Sequence, residues 1–356
     1  MFRFKLLSSL KASLLCLYLA IMSVGGAVVP AVPTPSQPEW VRGGTHARFN
    51  RITHLTAVGS GNSRHAAERD ALGRLVSIFG QAVHFDETTT ELYWGVMGSG
   101  AAAIWGERIY IESYFERRAG MDDLVGAEIG DFWEDGRGTS FALAVLNRAR
   151  ATQIYSGRIR ANQEIIDNLT NMSWTERNTF DGLARYHLAA VFADMNVGYG
   201  EILSIIGAPQ YARGLSRGDN FRREAQEIRG AIQIDINVKS GNARTDARIR
   251  SAFADVLFNE MGFLTGGTNH RYMLDVNLTM QPYLRRGLGR EWIDVSVDVH
   301  ANLVYTSTGV ILLPHFFNYI GQGRTQTNAE NIAINGIVRM IHREYGSRLS
   351  QLAPRR

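Results

Sequence analysis

Alternation of apolar and polar residues predicts two groups of β-strands along this 356-residue chain. In the first half, the strand pattern covers 54–58, 82–94, 104–115, 124–133 and 141–146. In the second half, it covers 232–238, 272–280, 293–305 and 310–320. The pattern is strictest at 293–305, where Asp294, Asp298 and His300 alternate with apolar side chains. Such alternation predicts an antiparallel strand with one buried and one solvated face.

Helical spacing of apolar residues predicts helices at 64–82, 148–169, 244–261 and 329–349. A further helix follows the capping-box residues Ser173 and Glu176, and it carries Phe180, His187 and Phe192 on one apolar face. Glycines at 198 and 200 predict that this helix weakens there. The predicted fold class is α+β, with two small antiparallel-sheet-plus-helix domains joined by a helical hairpin.

The first 27 residues follow the order of charged, apolar and small residues that is typical of a secretory signal peptide. Arg3, Lys5 and Lys11 precede an uncharged stretch that lasts to Pro38, and we expect cleavage after Ala27 or Ala31. The alternative is an uncleaved membrane anchor, which the glycines at 25 and 26 and the prolines after them disfavour. We therefore expect the protein in the periplasm or at the outer membrane after Sec-type export.

The predicted signal peptide changes the interpretation of the charge. The chain has 38 basic and 34 acidic side chains, and three of the basic ones lie in the signal, so the mature chain is close to neutral. The arginines are spread along the sequence without a basic block, which argues against nucleic-acid binding. The single cysteine, Cys16, also lies in the signal. A cleaved chain would have no disulfide, no thiol nucleophile and no Cys-based zinc site.

The predicted organisation has six segments, defined by composition and by the predicted elements. They are a signal peptide at 1–27, a Pro-rich tether at 28–39, an α+β domain at 40–147, a helical hairpin at 148–207, a linker at 208–228 and a second α+β domain at 229–352.

Catalytic motifs give no strong prediction. Gly59 and Gly61, between a strand and a helix, are arranged as at the start of a dinucleotide-binding fingerprint, but Arg64 replaces the third glycine and no series of βαβ units follows. A tight strand-to-helix turn capped by Ser63 is the favoured interpretation. The nine histidines show no metal-binding spacing, so we predict no cofactor and no metal. The candidate interaction face lies around His187 and Phe192, although core packing explains both residues equally well.

A resemblance to a known family covers residues 38–170. In the LPP-twenty lipoprotein family, which includes the flagellar outer-membrane protein FlgP, a Pro-x-Trp-Val start leads to an Ala-x-Gly-x-Gly strand end and an Ala-rich helix. The matching residues here are Pro38, Trp40, Val41, Ala57, Gly59, Gly61, Ala66, Ala67 and Ala71. The stretch at 141–148 is similar to the family's Tyr-Ala-Leu-Ala-Val-Leu-x-Arg sequence. No cysteine follows the apolar run at the position where this family carries its lipid, so the resemblance does not extend to lipid anchoring.

The second domain resembles the N-terminal domain of TolB, and the pairing of both units is similar to flagellar H-ring proteins of the FlgT type. These resemblances imply envelope assembly or scaffolding without catalysis. We therefore expect a non-enzymatic envelope scaffold, or a ring component of the flagellar motor. The alternatives are a regulatory module for a cell-wall synthase or a Tol/Pal-type complex and, third, a nucleotide-binding enzyme. Expected partners are envelope or flagellar proteins and further copies of the chain, with no nucleic acid. Membrane contact would be indirect or through an uncleaved N-terminal segment.

Overall fold

The described strands assemble into two sheets, one of three strands and one of five. The computed structural model describes residues 36–80, 124–267, 270–287, 290–350 and 352–353. The described residues from Gln37 onward belong to one compact unit. The predicted signal peptide, the tether up to residue 35, and the predicted strands at 82–94 and 104–115 lie outside the described residues.

The first sheet has the order β1-β3-β2, and its strands are antiparallel. Its elements are β1 (His54–Gly61), α1 (Arg64–Ser77), β2 (Ala127–Glu134) and β3 (Ser140–Asn147). Ala144 and Leu146 of β3 belong to the same buried cluster as the alanines of α1, while Leu143 and Val145 cluster with Trp40 and Phe49. Because β3 is buried on both faces, its sequence is a continuous apolar run without alternation.

A pair of long helices follows β3, as the sequence predicts. α2 (Arg148–Thr170) starts after Asn147, whose side chain accepts a hydrogen bond from the Arg150 backbone N–H. α3 (Phe180–Ile205) packs beside it in the cluster that includes the first sheet. The buried Asn162 amide of α2 donates to the Asn196 carbonyl of α3 at 2.9 Å, which sets the register of the pair.

Two expectations about α3 are wrong. The capping box of Ser173 and Glu176 is present, but it caps the single turn Trp174–Arg177, and Thr179 is the N-cap of α3 itself. The helix also continues through both glycines to Ile205. Gly200 is needed for packing, because a Cβ atom there would lie 2.9 Å from the Cβ of Ala212. The close contact at Gly200 explains why the low helix propensity of glycine does not end the helix here.

The predicted linker at 208–228 carries a helix, α4 (Gly218–Ala231), preceded by the 3-10 turn Pro209–Ala212. Asp194 of α3 accepts a hydrogen bond from the backbone N–H of Gly218 at 3.0 Å and forms an ion pair with Arg222. Ala225 and Ile228 are buried on one face of α4, although the sequence of the helix is strongly charged. The segment is therefore packed on α3, and its charged composition concealed an amphipathic helix.

The second sheet has the order β5-β4-β6-β7-β8. Its elements are β4 (Gln233–Lys239), α5 (Ala243–Asp255), β5 (Leu264–Thr265), β6 (Tyr272–Gly287), β7 (Arg290–Tyr305), β8 (Val310–Gly323) and α6 (Gln326–Met340). π-Helical turns, Val256–Glu260 and Ile341–Tyr345, extend α5 and α6. The α+β class is confirmed. The sheet is mixed, however, because the α5 crossover places β6 parallel to β4.

In both sheets, the end of one strand packs against the following helix through the same sequence pattern. The pattern Gly-x-Gly-x-Ser/Thr-x-x-x-Ala-Glu-x-x-Ala occurs at 59–71 and again at 321–333. A Cβ atom on Gly59 would lie 2.0 Å from the Ala71 nitrogen, and one on Gly321 would lie 2.1 Å from the Ala329 oxygen. Each following helix is capped by the hydroxyl of Ser63 or Thr325. The glycines thus permit α1 and α6 to approach the strands closely.

One described helix, α3, is long and apolar enough to cross a membrane by length and composition. Its apolar window is 72% buried inside the protein. That burial is typical of the central helix of a folded core.

Candidate interaction surface

Of the two residues of the predicted interaction face, Phe192 is buried and His187 is half-buried. Phe192 is 0% exposed and belongs to the core cluster shared by α2, α3 and the first sheet. His187 faces α4, where its Nε2 atom lies 3.5 Å from Nη2 of Arg229. Phe192 therefore offers no surface to a partner, and the core-packing interpretation describes both residues.

Arg229 connects α4 with the second sheet although it is only 1% exposed. Its Nη1 atom donates to the Met261 carbonyl at 3.0 Å, and its guanidinium lies 5.8 Å from the centre of the Phe263 ring. Burial, together with the positive charges of Arg229 and Arg222, lowers the pKa of His187 from 6.5 to about 4. His187 is therefore neutral at pH 7 and can accept a hydrogen bond from Arg229.

The strand-to-helix turn of the first sheet is occupied by a carboxylate of the chain itself. Asp70 Oδ2 accepts the backbone N–H of Ser60 at 2.8 Å and pairs with Arg74 at 3.0 Å. The Ser60 hydrogen bond and then Arg74 hold the pKa of Asp70 below its usual range. A phosphate would need this N–H group and would be repelled by the ionised carboxylate. The nucleotide hypothesis therefore receives no support from this geometry.

A cavity of about 250 Å³ lies beside the first sheet, with Trp40, Phe49 and His46 in its lining. His46 Nε2 lies 3.1 Å from Asp131 Oδ2, while its Nδ1 accepts the backbone N–H groups of Arg48 and Phe49. Both ring nitrogens of His46 thus hold the loop before β1 in place, and neither nitrogen is available as a catalytic base. Across the described ranges, no group of three potential metal ligands occurs.

The face of the second sheet opposite α5 and α6, here called the open face, is largely polar. Asn318 donates to Asp298 Oδ1 at 2.6 Å and to Ser296 Oγ at 3.1 Å, and Asn237 donates to Asp275 Oδ1 at 2.8 Å. The prediction of a solvated face for 293–305 is confirmed at Asp298 and at His300. Asp294 differs, since it is 2% exposed.

The most exposed apolar residues on this face lie on its last strand, β8, while Leu264, Tyr283 and Trp292 are exposed to a smaller extent on the other strands. Phe316 is 51% exposed, Ile320 is 46% exposed and Ile311 is more than half exposed. The 14 residues of β8 include no Asp, Glu, Lys or Arg. Sheet edges usually carry charges, prolines or bulges that prevent further pairing.

Only the first part of β8 has such protection. A bulge shifts the β7–β8 register between Leu303 and Val304, and Pro314 follows near it. Residues 315–323, here called the β8 edge, have neither feature, and no described strand pairs with their outer side. In the described part of the chain, the backbone groups that point away from β7 have no partner strand, and such groups can pair with another strand. The β8 edge is the candidate interaction surface.

Comparisons with known proteins give structural likenesses at low identity. A minor lipoprotein of Acinetobacter baumannii has 16% identity, 32% coverage of this chain, 92% coverage of its own length and a TM-score of 0.26. A lipoprotein of Caulobacter crescentus CB15 has 11% identity, corresponding coverages of 32% and 87%, and a TM-score of 0.23. The secreted protein HP1454 of Helicobacter pylori has 12% identity, coverages of 82% and 98%, and a TM-score of 0.33.

No protein-family model matches the chain, and no curated protein matches it. All three TM-scores lie below 0.5, so these likenesses carry no argument about fold or function.

The β8 edge was missed at the sequence level, although a signal was present. The sequence predicts the strand at 310–320, and that segment contains no charged residue. Whether an uncharged strand lies at an edge or in the centre of a sheet depends on the strand order, which alternation does not encode.

Proposed function

We propose that this chain is a non-enzymatic, exported envelope protein that acts as a scaffold or ring component through protein–protein contacts. The observation that carries the proposal is the β8 edge, an uncharged strand edge beside the exposed side chains of Phe316 and Ile320. Strand addition at such an edge supplies backbone hydrogen bonds, while the exposed side chains supply apolar burial. Export is supported by the order of charged, apolar and small residues at 1–27.

A place in the flagellar motor is the most specific form of this proposal. Its support is the resemblance of residues 38–170 to the LPP-twenty family and of the paired units to H-ring proteins. A regulatory module for a cell-wall synthase would use the same edge, but it would form one small complex with an enzyme and would not assemble with itself.

Replacing Ile320 with lysine tests the scaffold proposal. A charge beside the β8 edge should prevent strand addition, because the ammonium group would have to be desolvated on pairing. We expect the tagged wild-type chain to migrate in envelope extracts as a complex larger than a monomer, and the Ile320→Lys chain to migrate as a monomer, as measured by native gel and native mass spectrometry.

The matched control is Ile52→Lys, because Ile52 is 87% exposed and lies in the loop before β1. This variant should keep the wild-type complex. A wild-type chain that is strictly monomeric in the envelope would contradict the proposal, and so would an Ile320→Lys complex of unchanged size.

A further inference from the structure

We infer that the occupant of the β8 edge is the β8 edge of a second copy of this chain, paired antiparallel about a two-fold axis at Asn318. This inference rests on the proposed function, and it names the partner that binds the β8 edge. The two five-stranded sheets would then form one continuous ten-stranded sheet. A two-fold interface needs a patch that is complementary to itself, and the β8 edge meets that requirement in its side chains and in its charge.

The side chains of the open face fit this register. With Asn318 opposite its own copy, Phe316 of one chain lies opposite Ile320 of the other, and the same contact occurs twice. Aromatic residues paired with β-branched residues across antiparallel strands are favourable. Phe316 and Ile320 are both about half exposed in the single chain, so pairing would remove apolar surface from water. Pro314, which lacks an N–H donor, falls at the end of the paired region opposite Gln322.

The charge distribution also permits self-pairing. β8 itself has no charged side chain, so no like charges meet at the junction. The carboxylates of β7 that face β8 on the open face are Asp298, to which Asn318 donates a hydrogen bond of 2.6 Å, and Asp294, to which Gln322 donates one of 3.5 Å. In the paired sheet, the two Asp298 residues would be three strand spacings apart, about 14 Å. That separation exceeds the screening length of about 8 Å at physiological ionic strength.

Cysteine cross-linking tests the register directly. In a chain whose only cysteine, Cys16, is replaced by serine, Asn318→Cys should give a disulfide-linked dimer under mild oxidation. Directly opposed Cα atoms lie about 4.5–5.5 Å apart, which is within the range for a disulfide. The matched control is Gln322→Cys on the same strand and face. In the inferred register, position 322 of one chain and position 322 of the other lie eight residues apart along the strands, about 26 Å. These two cysteines should therefore not cross-link.

Asn318→Cys removes the hydrogen bonds that Asn318 donates to Asp298 and Ser296. A second pair of variants therefore tests the same register with Asn318 intact. Mixing Phe316→Cys chains with Ile320→Cys chains should give a mixed disulfide between the two variants, because these positions are opposed in the inferred register. Equal cross-linking of Gln322→Cys and Asn318→Cys would overturn the inference, as would the absence of both the Asn318 and the mixed disulfide. If these disulfides are absent while Ile320→Lys still dissociates the native complex, self-pairing is wrong and the scaffold proposal stands with a different partner.

Discussion

Replacing Gly59 or Gly321 with alanine is expected to lower the free energy of unfolding by at least about 3 kcal/mol in each case. This is the upper end of the range that is typical of overpacked core sites. The new Cβ atoms would lie 2.0 Å from the Ala71 nitrogen and 2.1 Å from the Ala329 oxygen. Both neighbours are backbone atoms of a helix that packs on the sheet, so relief requires the whole helix to move away. Urea unfolding, followed by circular dichroism, measures the change.

Gly73→Ala is the matched control for Gly59→Ala. Gly73 lies within α1, and a Cβ atom there would meet nothing within 4 Å. Because alanine is the better helix former, this variant should gain about 0.5–1 kcal/mol of stability. Equal, small effects at positions 59, 321 and 73 would show that the strand-to-helix contact is not close-packed.

The free energy of unfolding is expected to fall as the pH decreases from about 6.5 to 4, with His187 as a major cause. Its pKa is lowered from 6.5 to about 4 in the folded protein, so the unfolded chain binds the proton more readily in this window. The stability that depends on neutral His187 is fully present above pH 6.5 and is lost as the pH falls toward 4. A shift of this size corresponds to about 3 kcal/mol at most.

Comparison of wild type with His187→Gln isolates this contribution. Glutamine does not titrate, so the variant should lose most of the pH dependence in this window, although its stability at pH 7 can be lower. His315, whose pKa is also lowered by burial and by Arg348, contributes in the same direction in both proteins. An unchanged slope in His187→Gln would contradict the buried, neutral state of His187.

Most of the secondary structure could be predicted because side-chain periodicity reports burial directly. The strict alternation at 293–305 became β7, and the apolar run at 141–146 became the doubly buried β3. The errors occurred where a tertiary contact overrides a local signal. Gly200 does not end α3 because it packs against Ala212, and the charged sequence after residue 217 forms a helix that buries Ala225 and Ile228 and is tied to α3 by the Arg222–Asp194 pair.

The candidate site was harder to predict than the fold. The apolar face with His187 and Phe192 has the same periodicity whether it meets a partner or the protein's own core, and the structure shows that it meets the core. The β8 edge, in contrast, is defined by strand order and by a bulge, neither of which a single sequence displays. The repeated glycine pattern at 59–71 and 321–333 was visible in the sequence, but its role required the strand-to-helix distances.

Hydrogen exchange at the β8 edge tests the central claim most directly, because it reports whether the backbone groups of residues 315–323 are paired in the assembled protein. The account predicts that about half of these amides, those pointing away from β7, exchange slowly in the native complex and quickly in the Ile320→Lys monomer. Amides of α1 should exchange equally in both. Fast exchange of the amides of 315–323 that point away from β7, in a native complex, would show that the complex forms elsewhere and would contradict the account.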